Sequence, residues 1–136
     1  MPRIIAIDYG KKRTGLAWTD PLKMIATGIG SFDTAILDEK LKSLIDKEEI
    51  EAIVLGYPTR LDGTDSHVTE EVRTLKENLE KQYPQIRIHL WDERLTSKMA
   101  FQAMIDGGLK KKKRRDKHLV NEISAVIILQ EFLQQL

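Results

Sequence analysis

Cysteine is absent from this 136-residue chain, so no disulfide and no thiolate metal site exists, a composition that fits a reducing compartment. Long apolar runs are absent too. After Met1-Pro2-Arg3 the hydrophobic residues meet Asp8 almost at once, far too soon for a signal-peptide core or a membrane span. The expectation is a cytoplasmic protein with no membrane partner. Charge of one sign is lacking overall: Lys plus Arg number 22 against 21 for Asp plus Glu, so net charge points to no partner. There is no repeat, low-complexity tract or linker, and a chain of this size buries about two thirds of its unfolded surface in one core. Residues 1–136 therefore read as one domain. No GxSxG, Walker A or GxGxxG pattern occurs, and His67, His89 and His118 are scattered without zinc-ligand spacing.

What is present is periodicity. Arg3 to Asp8 is almost continuously apolar, as in a strand covered on both faces, and Thr14 to Thr19 and Met24 to Phe32 suit a meander after it. Asp33 or Thr34 is placed to cap a helix carrying Leu37, Leu41, Leu44 and Ile45. Ala52 to Leu55 is a buried strand stopped by Gly56-Tyr57-Pro58. Val68, Val72, Leu75 and Leu79 mark a second helix, and Ile86, Ile88 and Leu90 a half-exposed strand. Thr96 opens a short helix ending at Gly107-Gly108, and Leu119, Val120, Ile123, Val126, Ile127 and Leu133 lie on a last helix. The order βββαβαβαα predicts an α/β fold: three antiparallel strands, then two joined by parallel crossovers, with helices on both faces.

Ligands of open α/β sheets bind beyond the carboxyl ends of parallel strands. Those ends are Asp8-Tyr9-Gly10, Gly56-Tyr57-Pro58 and Trp91-Asp92-Glu93-Arg94. Acids from two of them in one cleft repel each other unless a cation sits between, and Mg²⁺ or Mn²⁺, which takes carboxylate, water and phosphate oxygens, fits that need. Two such ions about 4 Å apart can activate water and stabilise the leaving oxygen of a phosphodiester. Lys11, Lys12 and Arg13, between Gly10 and Gly15, then serve to attract a polyanion. Lys110, Lys111, Lys112, Lys113, Arg114 and Arg115 form an uninterrupted cationic run suited to a nucleic acid backbone, and Arg60 and Arg94 stand beside the strand ends. Arg13 and Arg94 can equally pair with the acids themselves. Trp18 and Trp91, on strands, are expected to pack rather than to stack on bases.

Four ordered stretches, "IDYGKKRTGLA", "GYPTRLDG", "DERLTS" and "SAVIIL", resemble the motifs of the YqgF family, described as Holliday junction resolvases and as nucleases of precursor small-subunit ribosomal RNA. The resemblance spans nearly the whole chain. It implies a ribonuclease H-like fold with Asp8 as the first-strand acid and Glu93, assisted by Asp92, as the second. The family's third acid falls on Asn121, three residues before Ser124-Ala125, and an amide there brings no charge. Glu122 and Asp116 are the nearby acids that can substitute, although Glu122 points about 100° away around a helix. The implied activity is metal-dependent cleavage of the 5′ end of pre-16S rRNA. The alternatives are resolution of branched DNA, which requires a homodimer with two-fold related sites, and a weakened nucleic-acid-binding module. An actin-like ATPase is disfavoured because the second lobe has no room in one small domain.

Overall fold

The computed structural model of the protein describes residues 2–22, 24–57, 67–92 and 117–135. Its strands are β1 (Arg3–Asp8), β2 (Arg13–Thr19), β3 (Ala26–Asp33), β4 (Ile50–Tyr57) and β5 (Arg87–Asp92). Its described helices are α1 (Leu37–Lys47), preceded by a 3₁₀ turn at Thr34–Ile36, then α2 (His67–Gln82) and α3 (Lys117–Gln134). The expected helix from Thr96 to Gly107 falls outside the described residues.

The strands form one mixed sheet in the order β3-β2-β1-β4-β5. β1 pairs antiparallel with β2 and parallel with β4, and β4 pairs parallel with β5, as the element order predicts. Because successive side chains of a strand point to opposite faces, β1 divides its residues between two cores. Ile5 and Ile7, with Leu16, Ile53 and Leu55, face α1 and α2, meeting Leu37, Leu41, Leu44, Val72 and Leu79. Ile4 and Ala6, with Ala17, Ala26, Ala52 and Val54, face Ala125, Ile128 and Leu129 of α3. Each fully buried Ile or Leu contributes about 2 kcal/mol of apolar transfer. The two faces differ in relief. Bulky residues interdigitate on the first, whereas the alanines of the second let α3 lie close to the strands.

Two expectations are corrected, the helix cap and the stop of β4 before Gly56, and the structure adds which side of α3 faces inward. Asp33 and Thr34 do not cap a helix through their side chains: α1 begins after the 3₁₀ turn with Ile36 at its N-cap and no side-chain cap bond. Among the described side chains of α3 the fully buried ones are Ser124, Ala125, Ile128 and Leu129, while Val120, Ile123, Val126 and Ile127 are only partly covered. From Ile123 to Leu129 α3 is apolar or small all round, so periodicity alone does not choose its inner face; the small-residue surface of the sheet does. Finally, β4 and β5 run to Tyr57 and Asp92, because backbone pairing continues past the apolar residues.

Candidate active site

Asp8 closes the central strand. It pairs with Gly15 on one side and Gly56 on the other, so neither residue directly paired with it carries a side chain. Alternation continues the row Ile4, Ala6, Asp8 on the α3 face. Gly15 on that face is where α3 touches down. A β-carbon at Gly15 would overlap the backbone carbonyl of Asn121 and come within 2.8 Å of the Glu122 nitrogen. The absent side chain therefore seats the first half of α3 directly over the residue paired with Asp8, bringing Asn121 to the acid's strand end.

Asn121 donates from Nδ2 to the Arg13 carbonyl at 3.4 Å. Since a carbonyl only accepts, this contact fixes which way the amide faces and turns Oδ1 away from Arg13. Glu122 goes elsewhere. Its side chain lies over Gly28 of β3, with Cγ and Cδ each 2.9 Å from where a β-carbon would stand. Gly28 pairs with Ala17, on the strand beyond β2 from Asp8, so this acid does not take the place of Asn121.

Lys11, Lys12 and Arg13 form the turn after Asp8, with both lysines exposed. Together with Gly10, Asp33 and Asn121 they line a recess of about 550 Å³. Tyr9 projects to the opposite face, where its hydroxyl donates to Glu71 Oε2 at 3.0 Å. Burial first, then the Glu71 carboxylate, pushes its pKa up to about 12, so it remains a protonated donor and ties the end of β1 to α2.

Asp92 ends β5 opposite Tyr57, one residue beyond the row in which Asp8 pairs with Gly56 and Gly56 with Trp91. β1 and β5 are two strands apart, about 10 Å at ordinary strand spacing, with Gly56 between them. Glu93, Arg94, Arg60, Lys110 to Arg115 and Asp116 lie outside the described residues. Among the described residues no three His, Asp or Glu side chains converge on a metal position. His89 packs its ring against Phe132 at 5.0 Å, and Trp91 packs edge-on to the same ring while donating to Glu131 at 3.2 Å. Trp18 lies under Arg3 at 4.2 Å, so both tryptophans pack, as expected.

Sequence reasoning placed Thr34 only as a helix cap and missed its contact with the basic turn. Its hydroxyl donates to the Gly10 carbonyl at 2.6 Å, a contact across 24 positions that leaves no local pattern to read. Tyr9 was legible in principle, since alternation from Ile5 and Ile7 already assigns it to the α1 and α2 side.

An antiparallel trio extended by two parallel strands, with an acid ending the central strand and a helix lying across it, defines the ribonuclease H-like class. Two solved structures share the fold: Thermus thermophilus RuvC in complex with a Holliday junction substrate (TM-score 0.57, 14% identity, 99% of this chain and 96% of that one) and the fowlpox virus Holliday junction resolvase (TM-score 0.57, 12% identity, 98% and 99%). Residues 2–135 match the RuvX family, described as Holliday junction resolvase, and the chain belongs to that family. Its relatives include a protein of Christiangramia forsetii, 50% identical over 99% of this chain and 100% of its own length, and one of Flavobacterium psychrophilum, 45% identical over 98% and 97%. Both are named as candidate pre-16S rRNA nucleases. The resemblance carried by the four motifs thus holds over the full chain, and the family is one of nucleases.

Proposed function

We propose that this protein is a divalent-metal-dependent endonuclease that processes the 5′ end of pre-16S rRNA in the cytoplasm. The observation that carries the reading is the placement of Asp8. It is a carboxylate at the open end of the central strand, flanked by two glycines and adjoining an exposed basic turn. Full-length similarity to relatives named for pre-16S rRNA supports the substrate. No described helix is long and apolar enough to cross a membrane.

Asp8, Asp92 and Glu93 are assigned to hold Mg²⁺ or Mn²⁺, with the Asn121 amide oxygen as a neutral further donor. All are hard oxygen ligands, the kind these ions take, and Asn121 already turns its nitrogen toward Arg13. When bound, such an ion activates water and neutralises charge on the phosphate. The protein's own groups do the rest. Gly15 lets α3 bring Asn121 to the strand end of Asp8, and Lys11, Lys12 and Arg13 draw the nucleic acid strand into the recess. Arg60, Arg94 and Lys110 to Arg115 extend the contact along the backbone. An amide at position 121 in place of a third acid weakens the hold on a second ion.

Resolution of branched DNA is the second reading, favoured by the family description and by the structural neighbours. It carries the further expectation of a homodimer. Labelled precursor rRNA and a four-way DNA junction, offered side by side with Mg²⁺ or Mn²⁺ and again with EDTA, separate the two. Metal-dependent cutting of the RNA supports the proposal, cutting of the junction alone transfers it to the resolvase reading, and binding without cutting leaves a weakened binding module. Replacing Lys110 to Arg115 by glutamine is expected to flatten the salt dependence of binding, by about 0.7 in log–log slope for each single-strand phosphate that the run neutralises. An unchanged slope in salt titrations assigns that run to solvent.

A further inference from the structure

Three carbonyls of the basic turn are held by the protein itself. Gly10 O accepts from Thr34 Oγ1 at 2.6 Å, Lys12 O accepts from the Thr34 backbone N–H at 2.9 Å, and Arg13 O accepts from Asn121 Nδ2 at 3.4 Å. The turn is also tight, since a β-carbon at Gly10 would strike the Arg13 carbonyl oxygen. Thr34 Oγ1 lies 2.9 Å from the hydroxyl of Thr14, a residue with no exposed surface. Because Gly10 O can only accept, the Thr34 proton is committed to it, and the Thr14 hydroxyl must donate to Thr34. The result is a one-way relay from the buried interior of β2, through Thr34, to the residue two after Asp8.

Carbonyl oxygens repel phosphate; amides and ammonium groups attract it. Drawing these carbonyls inward leaves Lys11 and Lys12 on the outer surface of the turn. We propose that Thr34 is a positioning residue that fixes the Gly10 to Arg13 turn in its phosphate-accepting form, with the relay from Thr14 setting the direction of its hydrogen bond. This rests on the nucleic-acid reading above and adds a residue to it.

A double-mutant cycle tests the assignment. Affinity for a short single-stranded RNA and for a four-way DNA junction is measured for wild type, Thr34→Val, Thr34→Ser, Lys11→Gln/Lys12→Gln, and the triple variant, with thermal melts alongside. Thr34→Val is expected to raise Kd about five- to tenfold in the wild-type background but less than about twofold once the lysines are neutral. Thr34→Ser, which keeps the hydroxyl, should stay within about twofold of wild type. Equal losses in both backgrounds mean that Thr34 supports the fold without acting through the turn, and no loss at all removes it entirely; either overturns the proposal. If Thr34→Val melts below the assay temperature, Thr34→Ala is carried through the same cycle. Should wild type bind neither probe, the nucleic-acid reading falls and takes the proposal with it. Salt-dependent wild-type binding without coupling defeats the positioning role alone.

Discussion

Asp8→Asn is expected to lower the single-turnover cleavage rate by about 10³-fold while the protein still folds and still binds nucleic acid. The substitution keeps the shape of the side chain and removes its charge, which is the property a divalent ion and an attacking water both need. Folding should survive because β1 is held by backbone ladders on both sides and by Ile5 and Ile7 beneath it, none of which the change touches. Binding should hold or tighten, since one negative charge is removed from beside the phosphate path. Cleavage and equilibrium binding measured on the same preparation separate these effects. A rate within a few-fold of wild type removes Asp8 from the chemistry, whereas loss of binding and cleavage together would make it a structural residue.

Gly15→Ala is expected to cost about 3 kcal/mol, or about 10 °C in melting temperature, and to depress cleavage well beyond what the loss of folded protein explains. The added methyl meets backbone atoms of Asn121 and Glu122, which cannot rotate aside, so α3 itself must shift. That shift moves Asn121 relative to Asp8, and misplacement of a catalytic element by about 1 Å can cost about 10²-fold. Gly28→Ala supplies the internal control. There the obstruction is the flexible side chain of Glu122, which can swing away, so the expected loss is under about 1 kcal/mol. Calorimetric melts of both variants decide the matter, and equal losses would refute the seating of α3 on Gly15.

How much of this was legible in the sequence depended on how local the signal was. The strand ending in Asp8, the buried run of β4 and the apolar faces of α1 and α2 follow from periods of 2.0 and 3.6, and the sheet order follows from element order and crossover rules. The position of Asp8 at the carboxyl edge was readable for the same reason. Thr34 was not, because a residue before a helix has the same appearance whether its hydroxyl caps that helix or braces a turn 24 positions away. The inner face of α3 was ambiguous because almost every residue from Ile123 to Leu129 is apolar or small, and only the shallow alanine and glycine surface opposite it decides the rotation. That rotation also sends Glu122 to β3, an outcome the 100° step around the helix suggested without fixing its destination.

The strand order bears on how long the site survives as the protein warms. Among the described residues β3 and β5 border the sheet, each with a neighbour on one side only, so these margins can open by local fluctuation. β1 has partners on both sides and a packed core above and below, so its amides are expected to exchange with solvent only when the centre of the sheet opens. Asp8 is thus mounted away from the margins of the described sheet, and partial loosening there leaves it in register until β1 itself loses its partners.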